Sequence, residues 1–271
     1  MSDHNKVKIG LALGGGGVKG LAHIGVIKVL RANNIPIHYI AGSSIGAMVG
    51  AYYSATQNVE KLEKVALSNT WRTSLSLFDP TWRGGFVKGK KVEKMITSWF
   101  KDINFNSLKI PLTIVATDLI SGQEINIREG DLIKAIRGSV SVPIIFKPIK
   151  YKQYLLADGG LSNPLPDNIV RNMGADIVIA VNLDKTHFAN GFKGDDPSLL
   201  KVSLRSINVM RHHLAQYSVK TADVIIEPKV IEYGIIGWNR FFDDKKVEKI
   251  IKLGEEATIE ALPEINKLLY D

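Results

Sequence analysis

The chain contains no cysteine in its 271 residues. This absence excludes disulfide bonds, thiolate metal sites and a cysteine nucleophile. The chain also lacks any run of 18 apolar residues, about the shortest that reads as a membrane-spanning helix, and its first residues, MSDHNKVK, are polar. We therefore expect neither a signal peptide nor a membrane span, and a cytoplasmic location.

Clusters of basic residues are also missing, although the formal net charge is +8. The lysines and arginines are dispersed, and no arginine-rich helix or base-stacking motif accompanies them, which argues against nucleic acid as a partner. The simplest interpretation of the charge is a soluble surface. The second is weak peripheral attraction to an anionic membrane.

Short apolar segments alternate with longer segments whose apolar residues recur at helical spacing. The predicted strands are VKIGLAL, IHYIAG, PLTIVATDL, GQEINIRE, YLLADGG, ADIVIAVNL and ADVIIEP. The predicted helices span residues 18–32, 45–55, 58–68, 90–100, 131–140, a short stretch from 166, 197–220 and 244–263. This alternation predicts an α/β fold with a mainly parallel sheet covered on both faces.

No linker or internal repeat divides the chain, so we expect a single domain over residues 1–271. One connection is unusually long for such a domain. Residues 71–87, WRTSLSLFDPTWRGGFV, lose periodicity and mix aromatic residues with glycine and proline. A structureless loop of this length inside a compact domain is usually functional or mobile.

The first chemical motif is GGGGVKG at residues 14–20, between a strand and a helix. It contains the G-x-G-x-x-G pattern, but no acidic residue occurs between Asp3 and Glu60 to hold a ribose, which argues against dinucleotide binding. A Walker loop fails too, because Lys19 is followed by Gly20. A tight packing turn remains one interpretation, and a nest of backbone amides for a negatively charged oxygen is the other.

The second motif is GSSIG, which places Ser44 between Gly42 and Gly46 in the pattern G-x-S-x-G. In a nucleophile elbow, a serine occupies a strained turn between a strand and a helix, and the flanking glycines relieve crowding. The pattern alone is common. Its position between a predicted strand and a predicted buried helix makes Ser44 a candidate nucleophile.

A serine nucleophile needs a base, and no histidine has a convincing setting. His187, in a loop after a strand, is the histidine we keep as an alternative. The third motif, ADGG, puts Asp158 at the end of an apolar strand. Asp-Gly usually marks a turn, but the carboxyl ends of parallel strands share one crevice. We therefore expect Asp158, Ser44 and the glycine segment to converge there.

With these residues in place, the sequence resembles the patatin-like phospholipases, especially the small bacterial members. LALGGGGVKGLAHIGVIKVL, GSSIGAMVGA, GSVSVPIIFKP and LADGGLSNPLP follow the order and spacing of that family, over residues 9–184. The resemblance implies a three-layer α/β/α fold with a motif-bearing core at about 7–184. Val18 and Lys19 replace the alanine and arginine of many relatives, and the positive charge is kept.

The resemblance also implies roles for individual residues. Ser44 would be the nucleophile and Asp158 the general base, as a dyad with no histidine. The amides of Gly15, Gly16 and Gly17 would form the oxyanion hole. The supporting motif residues would be Lys19, Gly20, Gly42, Gly46, Gly159 and Gly160. Desolvation would raise the pKa of Asp158, so we expect this carboxylate to be buried and within about 3 Å of Ser44 Oγ.

The expected activity is hydrolysis of fatty acyl esters of phospholipids or lysophospholipids, with no metal or cofactor. Apolar side chains are expected either to form a rim for the lipid or to pack over the core: Leu75, Leu77, Phe78, Trp82, Phe86, Trp238, Phe241 and Phe242. Two alternatives remain open. One is a non-enzymatic regulatory protein that keeps the fold and binds a protein or lipid, and the other is a nucleotide-binding enzyme.

Overall fold

The computed structural model describes residues 7–68, 89–185, 197–230 and 244–270. The predicted loop at 71–87 lies outside these residues, and so do His4, His187 and every residue of the predicted apolar rim.

An eight-stranded sheet forms the centre of the described part of the chain. Its strands are β1 (Ile9–Leu13), β2 (Tyr39–Ser43), β3 (Leu112–Asp118), β4 (Glu124–Ile127), β5 (Ile149–Tyr151), β6 (Tyr154–Asp158), β7 (Ile177–Val181) and β8 (Val224–Ile226). The strand order is β5-β6-β3-β2-β1-β7-β8, and β4 pairs with β3 off this path. The five neighbouring strands β3, β2, β1, β7 and β8 are parallel to one another, which confirms the mainly parallel sheet.

Helices surround the sheet. They are α1 (Ala22–Ala32), α2 (Ile45–Thr56), α3 (Val59–Leu67), α4 (Lys90–Phe100), α5 (Leu132–Ser139), α6 (Asp167–Asn172), α7 (Leu199–Ser218) and α8 (Asp244–Tyr270). Short 3₁₀ helices occupy Gly17–Leu21, Phe105–Ser107, Gly159–Leu161 and Val219–Thr221. The predicted helix at 18–32 therefore begins with a 3₁₀ turn, and the α-helix starts at Ala22.

The side chains of the central strands alternate between two apolar cores. Leu11 and Leu13 of β1 belong to the larger core, whereas Ala12 between them belongs to the smaller one with Ile169 and Val170 of α6. Successive strand residues point to opposite faces, so this division places helices on both sides of the sheet. The fold is three-layer α/β/α, as predicted.

Two predictions about the elements were wrong. Strand β6 pairs antiparallel with β3, and β5 pairs antiparallel with β6, so this edge of the sheet does not follow the parallel rule. The C-terminal helix does not end at Pro263 but continues to Tyr270. Proline has no N–H to donate to the carbonyl oxygen of Ile259, but Ile259 is exposed, so water can replace this donor. Ile265, beyond the proline, is fully buried and anchors the last turns of the helix.

Helix α8 crosses α1 with the two backbones in contact. A methyl group added at Gly254 would lie 2.0 Å from the carbonyl oxygen of Ala22, and one added at Gly25 would lie 2.0 Å from that of Ile251. Neither backbone atom can move away as a flexible side chain would. The C-terminal helix is therefore an integral part of the larger core.

We predict that Gly254→Ala lowers the free energy of unfolding by about 2 to 3 kcal/mol, because the added methyl group overpacks a backbone crossing. Urea unfolding followed by circular dichroism measures the change. The control is Glu256→Ala on an exposed face of the same helix, expected to change stability by less than about 0.5 kcal/mol. Equal stability of the two variants would contradict the close crossing.

Candidate active site

Ser44 occupies a strained turn between β2 and α2. Its backbone dihedrals, φ 55° and ψ −123°, lie in a region that non-glycine residues rarely adopt. A methyl group at Gly42 would lie 2.5 Å from the amide nitrogen of Ala47, and one at Gly46 would lie 2.1 Å from the carbonyl oxygen of Leu13. Both flanking glycines are therefore required by close backbone approach, and the turn has the geometry of a nucleophile elbow.

A hydrogen-bond relay fixes the backbone of this turn. The Ser44 N–H donates to Ser139 Oγ at 2.9 Å, and the Ser139 hydroxyl donates in turn to the carbonyl oxygen of Val115 at 2.6 Å. Ser139 is fully buried at the end of α5. The relay thus ties the elbow to β3 and α5 and uses the amide of Ser44 itself.

The side chain of Ser44 contacts Asp158 directly. Ser44 Oγ donates to Asp158 Oδ2 at 2.6 Å, and the other carboxylate oxygen, Oδ1, accepts from the Gly160 N–H at 2.9 Å. The exposed fraction is 5% for Ser44 and 3% for Asp158. The predicted contact between these two residues, 114 positions apart, is present.

The reason for this contact differs from the one predicted. Because β6 is antiparallel to β3, the shared edge of parallel strands does not explain why Asp158 lies beside Ser44. Asp158 instead pairs in register with Ala116, and the preceding residue of β3, Val115, pairs with Ser43. The strand therefore ends level with the elbow, where Gly159 lets the chain turn away. A methyl group at Gly159 would lie 2.2 Å from the carbonyl oxygen of Val115.

Burial raises the pKa of Asp158 above its ordinary value, because desolvation penalises the carboxylate. Three interactions oppose this change by stabilising the charged form: the positive charge of Arg211 and the hydrogen bonds from Ser44 and Gly160. The negative charge of Asp184 acts in the same direction as burial.

The glycine segment lies beside Ser44, and a methyl group at Gly15 would lie 3.4 Å from Ser44 Cβ. The amide of Gly15 is already used, since it donates to the carbonyl oxygen of Pro164 at 2.9 Å. Within the described part of the chain, the amides of Gly16 and Gly17 have no hydrogen-bond acceptor. Of the three amides predicted for the oxyanion hole, Gly16 and Gly17 remain available in this structure and Gly15 does not.

Lys19 holds the glycine segment against the end of β7. Its buried ammonium group donates to the carbonyl oxygen of Leu183 at 2.7 Å and to Asp184 Oδ1 at 3.0 Å. Gly20 allows the next turn to pack on α2, since a methyl group there would lie 2.3 Å from a side-chain carbon of Ile45. Both predicted supporting residues thus position the segment.

The described histidines have structural surroundings. His23 is fully buried on α1, and its Nε2 lies 2.8 Å from the carbonyl oxygen of Gly14. His38 Nδ1 accepts from the Ile9 N–H at 2.9 Å, at the start of β1. His212 is half-buried and contacts the carbonyl oxygen of Asp184, whereas His213 is exposed.

Three residues at the site escaped the motif search: Ser139, Asp184 and Arg211. Arg211 carried a detectable signal. It lies on the buried face of α7 with Leu204 and Ala215, at spacings of 7 and 4 residues, and an arginine on an apolar stripe calls for a partner. Ser139 is the last residue of α5 and lies in the motif GSVSVPIIFKP, but that motif did not indicate its role. Asp184 follows β7 with no local pattern that marks it.

Among the residues that the structure describes, no group of three or more histidine, aspartate or glutamate side chains is placed to hold a metal ion. None of the described helices combines the length and the apolar character needed to cross a membrane.

Comparison with known proteins decides the family. Residues 11–169 match the family model for patatin-like phospholipases, which is more than half of the chain. The chain belongs to the patatin-like phospholipase family. This confirms the resemblance seen in the sequence motifs.

Two family relatives extend the comparison. A Mycobacterium tuberculosis protein of the NTE family is 39% identical over 178 residues, which cover 65% of this chain and 49% of the relative. The neuropathy target esterase sws of Drosophila melanogaster is 33% identical over 199 residues, 70% of this chain and 14% of that protein. The chain thus spans about half the length of the mycobacterial relative and a small part of the insect one.

The fold of the patatin-like family also appears among solved structures. VipD from Legionella pneumophila superposes with a TM-score of 0.59 at 12% identity, over 95% of this chain and 67% of VipD. At this identity the likeness concerns the fold alone.

His23, which contacts Gly14, is expected to make the stability of the protein depend on pH. Burial lowers its pKa from 6.5 to about 4, so the folded protein keeps this imidazole neutral while the unfolded chain takes up a proton below pH 6.5. The stability contribution of the neutral ring is complete above pH 6.5 and is lost as the pH falls towards 4.

We predict that the wild type loses roughly 2 to 3 kcal/mol more unfolding free energy between pH 7 and pH 4.5 than His23→Gln does. Glutamine keeps a donor for Gly14 but does not titrate. Urea unfolding at both pH values measures the difference, with the exposed His213→Gln as the control. Parallel losses in the wild type and His23→Gln would contradict a buried neutral imidazole.

Proposed function

We propose that this protein is a serine hydrolase that cleaves fatty acyl esters of phospholipids or lysophospholipids through Ser44 and Asp158. The observation that carries the proposal is the 2.6 Å hydrogen bond from Ser44 Oγ to Asp158 Oδ2, formed on a strained elbow beside the glycine segment. A nucleophile and a base in hydrogen-bond contact are the minimum requirement for covalent acyl transfer.

In the first step, Ser44 Oγ bonds to the ester carbonyl carbon and its proton passes to Asp158 Oδ2. The carbonyl π electrons move onto oxygen, and the amides of Gly16 and Gly17 donate to this oxyanion. The tetrahedral intermediate then expels the alcohol or lysolipid, which takes the proton from Asp158. Each oxyanion donor of this kind contributes about 3 to 4 kcal/mol of transition-state stabilisation.

In the second step, water replaces the departed alcohol. Asp158 accepts a proton from this water as its oxygen attacks the acyl-enzyme carbonyl, and the same amides hold the second oxyanion. Collapse releases the fatty acid, and the proton returns from Asp158 to Ser44 Oγ. One carboxylate therefore serves both half-reactions, as microscopic reversibility requires.

The elbow prepares Ser44 for the first step. The unusual dihedrals of Ser44 and the relay through Ser139 fix the backbone, so Oγ stays directed at the carboxylate. Burial makes the carboxylate a stronger base than an exposed aspartate, because it raises the pKa of Asp158.

The lipid substrate is supported by the family and by the esterase named among the relatives. The net charge of +8 suits peripheral contact with an anionic membrane. Because the motifs and the proposed site lie in one continuous sheet, we further propose that residues 1–271 form one domain with no required cofactor. The regulatory alternative predicts the same fold with an unreactive Ser44.

We predict that Ser44→Ala and Asp158→Asn each lower the turnover of acyl p-nitrophenyl esters and phospholipids at least about 1,000-fold. In wild type, a fluorophosphonate probe should label Ser44, detected by peptide mass spectrometry. Asparagine retains the shape of the carboxylate, so Asp158→Asn should keep the circular dichroism spectrum of the wild type.

Two matched controls lie beside these residues. Ser43→Ala removes the neighbouring buried hydroxyl, which has no partner within the described ranges. Asp118→Asn removes a buried carboxylate from the adjacent strand, where it accepts from Ser121 and Leu155. Both controls should keep activity within about tenfold. A wild type without labelling or turnover would favour the regulatory alternative, and full activity in Asp158→Asn would move the base to another residue, with His187 tested first.

The raised pKa of Asp158 also predicts the shape of the pH profile. The value of kcat/KM should rise with pH as Asp158 ionises, with a midpoint above the ordinary aspartate value of about 4. The midpoint should move little with temperature, as expected for a carboxyl group. A strongly temperature-dependent midpoint, typical of an imidazole, would contradict the assignment of Asp158 as the base.

A further inference from the structure

Arg211 is a buried cation that extends from α7 to the proposed site. Its exposed fraction is 6%, and it shares the inward face of the helix with Leu204 and Ala215. Burying an arginine is costly unless its charge is compensated. The position of its guanidinium group therefore shows which carboxylates compensate its charge.

Asp184 fixes one end of the guanidinium group. Arg211 Nη2 donates to Asp184 Oδ2 at 2.7 Å, while Lys19 Nζ donates to Oδ1 of the same carboxylate at 3.0 Å. The Asp184 N–H donates to Asn182 Oδ1 at 2.9 Å, which anchors this residue just after β7. The guanidinium group is thus held in place by a carboxylate that it shares with Lys19.

The guanidinium group lies beside both Ser44 and Asp158. A methyl group at Gly15 would lie 3.1 Å from Arg211 Nη2 and 3.4 Å from Ser44 Cβ. A methyl group at Gly160 would lie 2.8 Å from Arg211 Nε and 2.9 Å from Asp158 Oδ1. The absence of side chains at both glycines leaves the room that the guanidinium group occupies next to Ser44 and Asp158.

Arg211 Nε is a buried donor with no hydrogen-bond acceptor among the residues described. It borders the same small space beside Gly160 as the carboxylate of Asp158. Its interaction with Asp158 is therefore through charge across a short distance, without a direct hydrogen bond.

Asp184 lies between Lys19 and Arg211, and Arg211 borders Asp158 on its other side. Burial lowers the pKa of Lys19, and the ion pair with Asp184 opposes this change. Within the described residues, Arg211 is the cation whose charge acts on Asp158. Of the other titratable groups nearby, Asp118 on β3 directs its carboxylate to Ile120, Ser121 and Leu155, and His212 contacts the Asp184 carbonyl oxygen.

We propose that Arg211 is a positioning residue that keeps Asp158 ionised at this buried site, and that Asp184, itself bound by Lys19, holds Arg211 there. This inference rests on the proposed function, because the ionised carboxylate is the form that accepts the Ser44 proton. Desolvation alone favours the protonated acid, which cannot act as a base. The nearby guanidinium charge opposes this effect of desolvation by stabilising the ionised carboxylate. The same charge remains beside the glycine segment when negative charge moves from Asp158 to the oxyanion.

The test compares Arg211→Met, which keeps much of the side-chain volume without the charge, with Arg211→Lys, which keeps the charge. An opposite charge at this range changes an aspartate pKa by roughly 1 to 3 units. The acid limb of kcat/KM should therefore move up by about that amount in Arg211→Met and by less than half a unit in Arg211→Lys. The deficit should be about 5-fold to 500-fold at the wild-type midpoint, for a pKa change of 1 to 3 units, and should shrink as the pH rises.

Arg171→Met is the matched control, because Arg171 also pairs with an aspartate, Asp223. This pair lies at the amino ends of β7 and β8, away from the proposed site. The control variant should lower stability without moving the acid limb. A loss of equal size at every pH in Arg211→Met would reduce Arg211 to a structural residue and overturn the inference. An effect on KM alone would reassign it to substrate binding and overturn it as well.

A second measurement requires no turnover. In protein labelled with ¹³C at aspartate carboxyl groups, Asp158→Asn identifies the Asp158 resonance, and its pH titration should move upward by about 1 to 3 units in Arg211→Met. An unmoved titration would overturn the inference even if the wild type hydrolyses esters. Absence of hydrolysis together with a moved titration would overturn the proposed function and leave the electrostatic role of Arg211 standing.

Discussion

The short hydrogen bond between Ser44 and Asp158 depends on the strand register, the glycines and the helix packing around it. It joins the turn after β2 to the last residue of β6, and β3 lies between these two strands in the sheet. The contact forms because β6 ends level with the elbow, and because glycines allow the chain to turn at the end of each of the two strands. The strain at Ser44 is held by the tightly packed helix α2, in which every residue from Ile45 to Ser54 is buried. A serine directed at a carboxylate in this way depends on rigid surroundings.

Electrostatic compensation is the second requirement. Two carboxylates and two basic side chains lie in or beside the glycine segment, almost fully removed from water. Burial of this kind makes each charge depend strongly on its neighbours. The same cluster links three parts of the chain: the 3₁₀ turn after β1, the end of β7 and helix α7. Asp184 therefore connects the residue that holds the glycine segment, Lys19, to the residue beside Asp158, Arg211.

The motifs near the proposed site could be read from the sequence because each one is local. Glycines at 42 and 46 mark the elbow, and the alternation of strands and helices predicts the three layers. The antiparallel direction of β6 could not be read in this way, because strand direction depends on pairing between distant segments. Helix α8 passes Pro263 for a similar reason, since the burial of Ile265 outweighs a local helix-breaking signal. The donation from Gly15 to Pro164 likewise depends on a contact that no local pattern announces.

The most direct test of the central claim is a crystal structure of the protein after reaction with a fluorophosphonate. We expect a phosphorus atom bonded to Ser44 Oγ, with its phosphoryl oxygen accepting from the amides of Gly16 and Gly17. Asp158 should lie within hydrogen-bond distance of Oγ. An adduct on another residue, or a phosphoryl oxygen directed away from the glycine segment, would contradict the central claim.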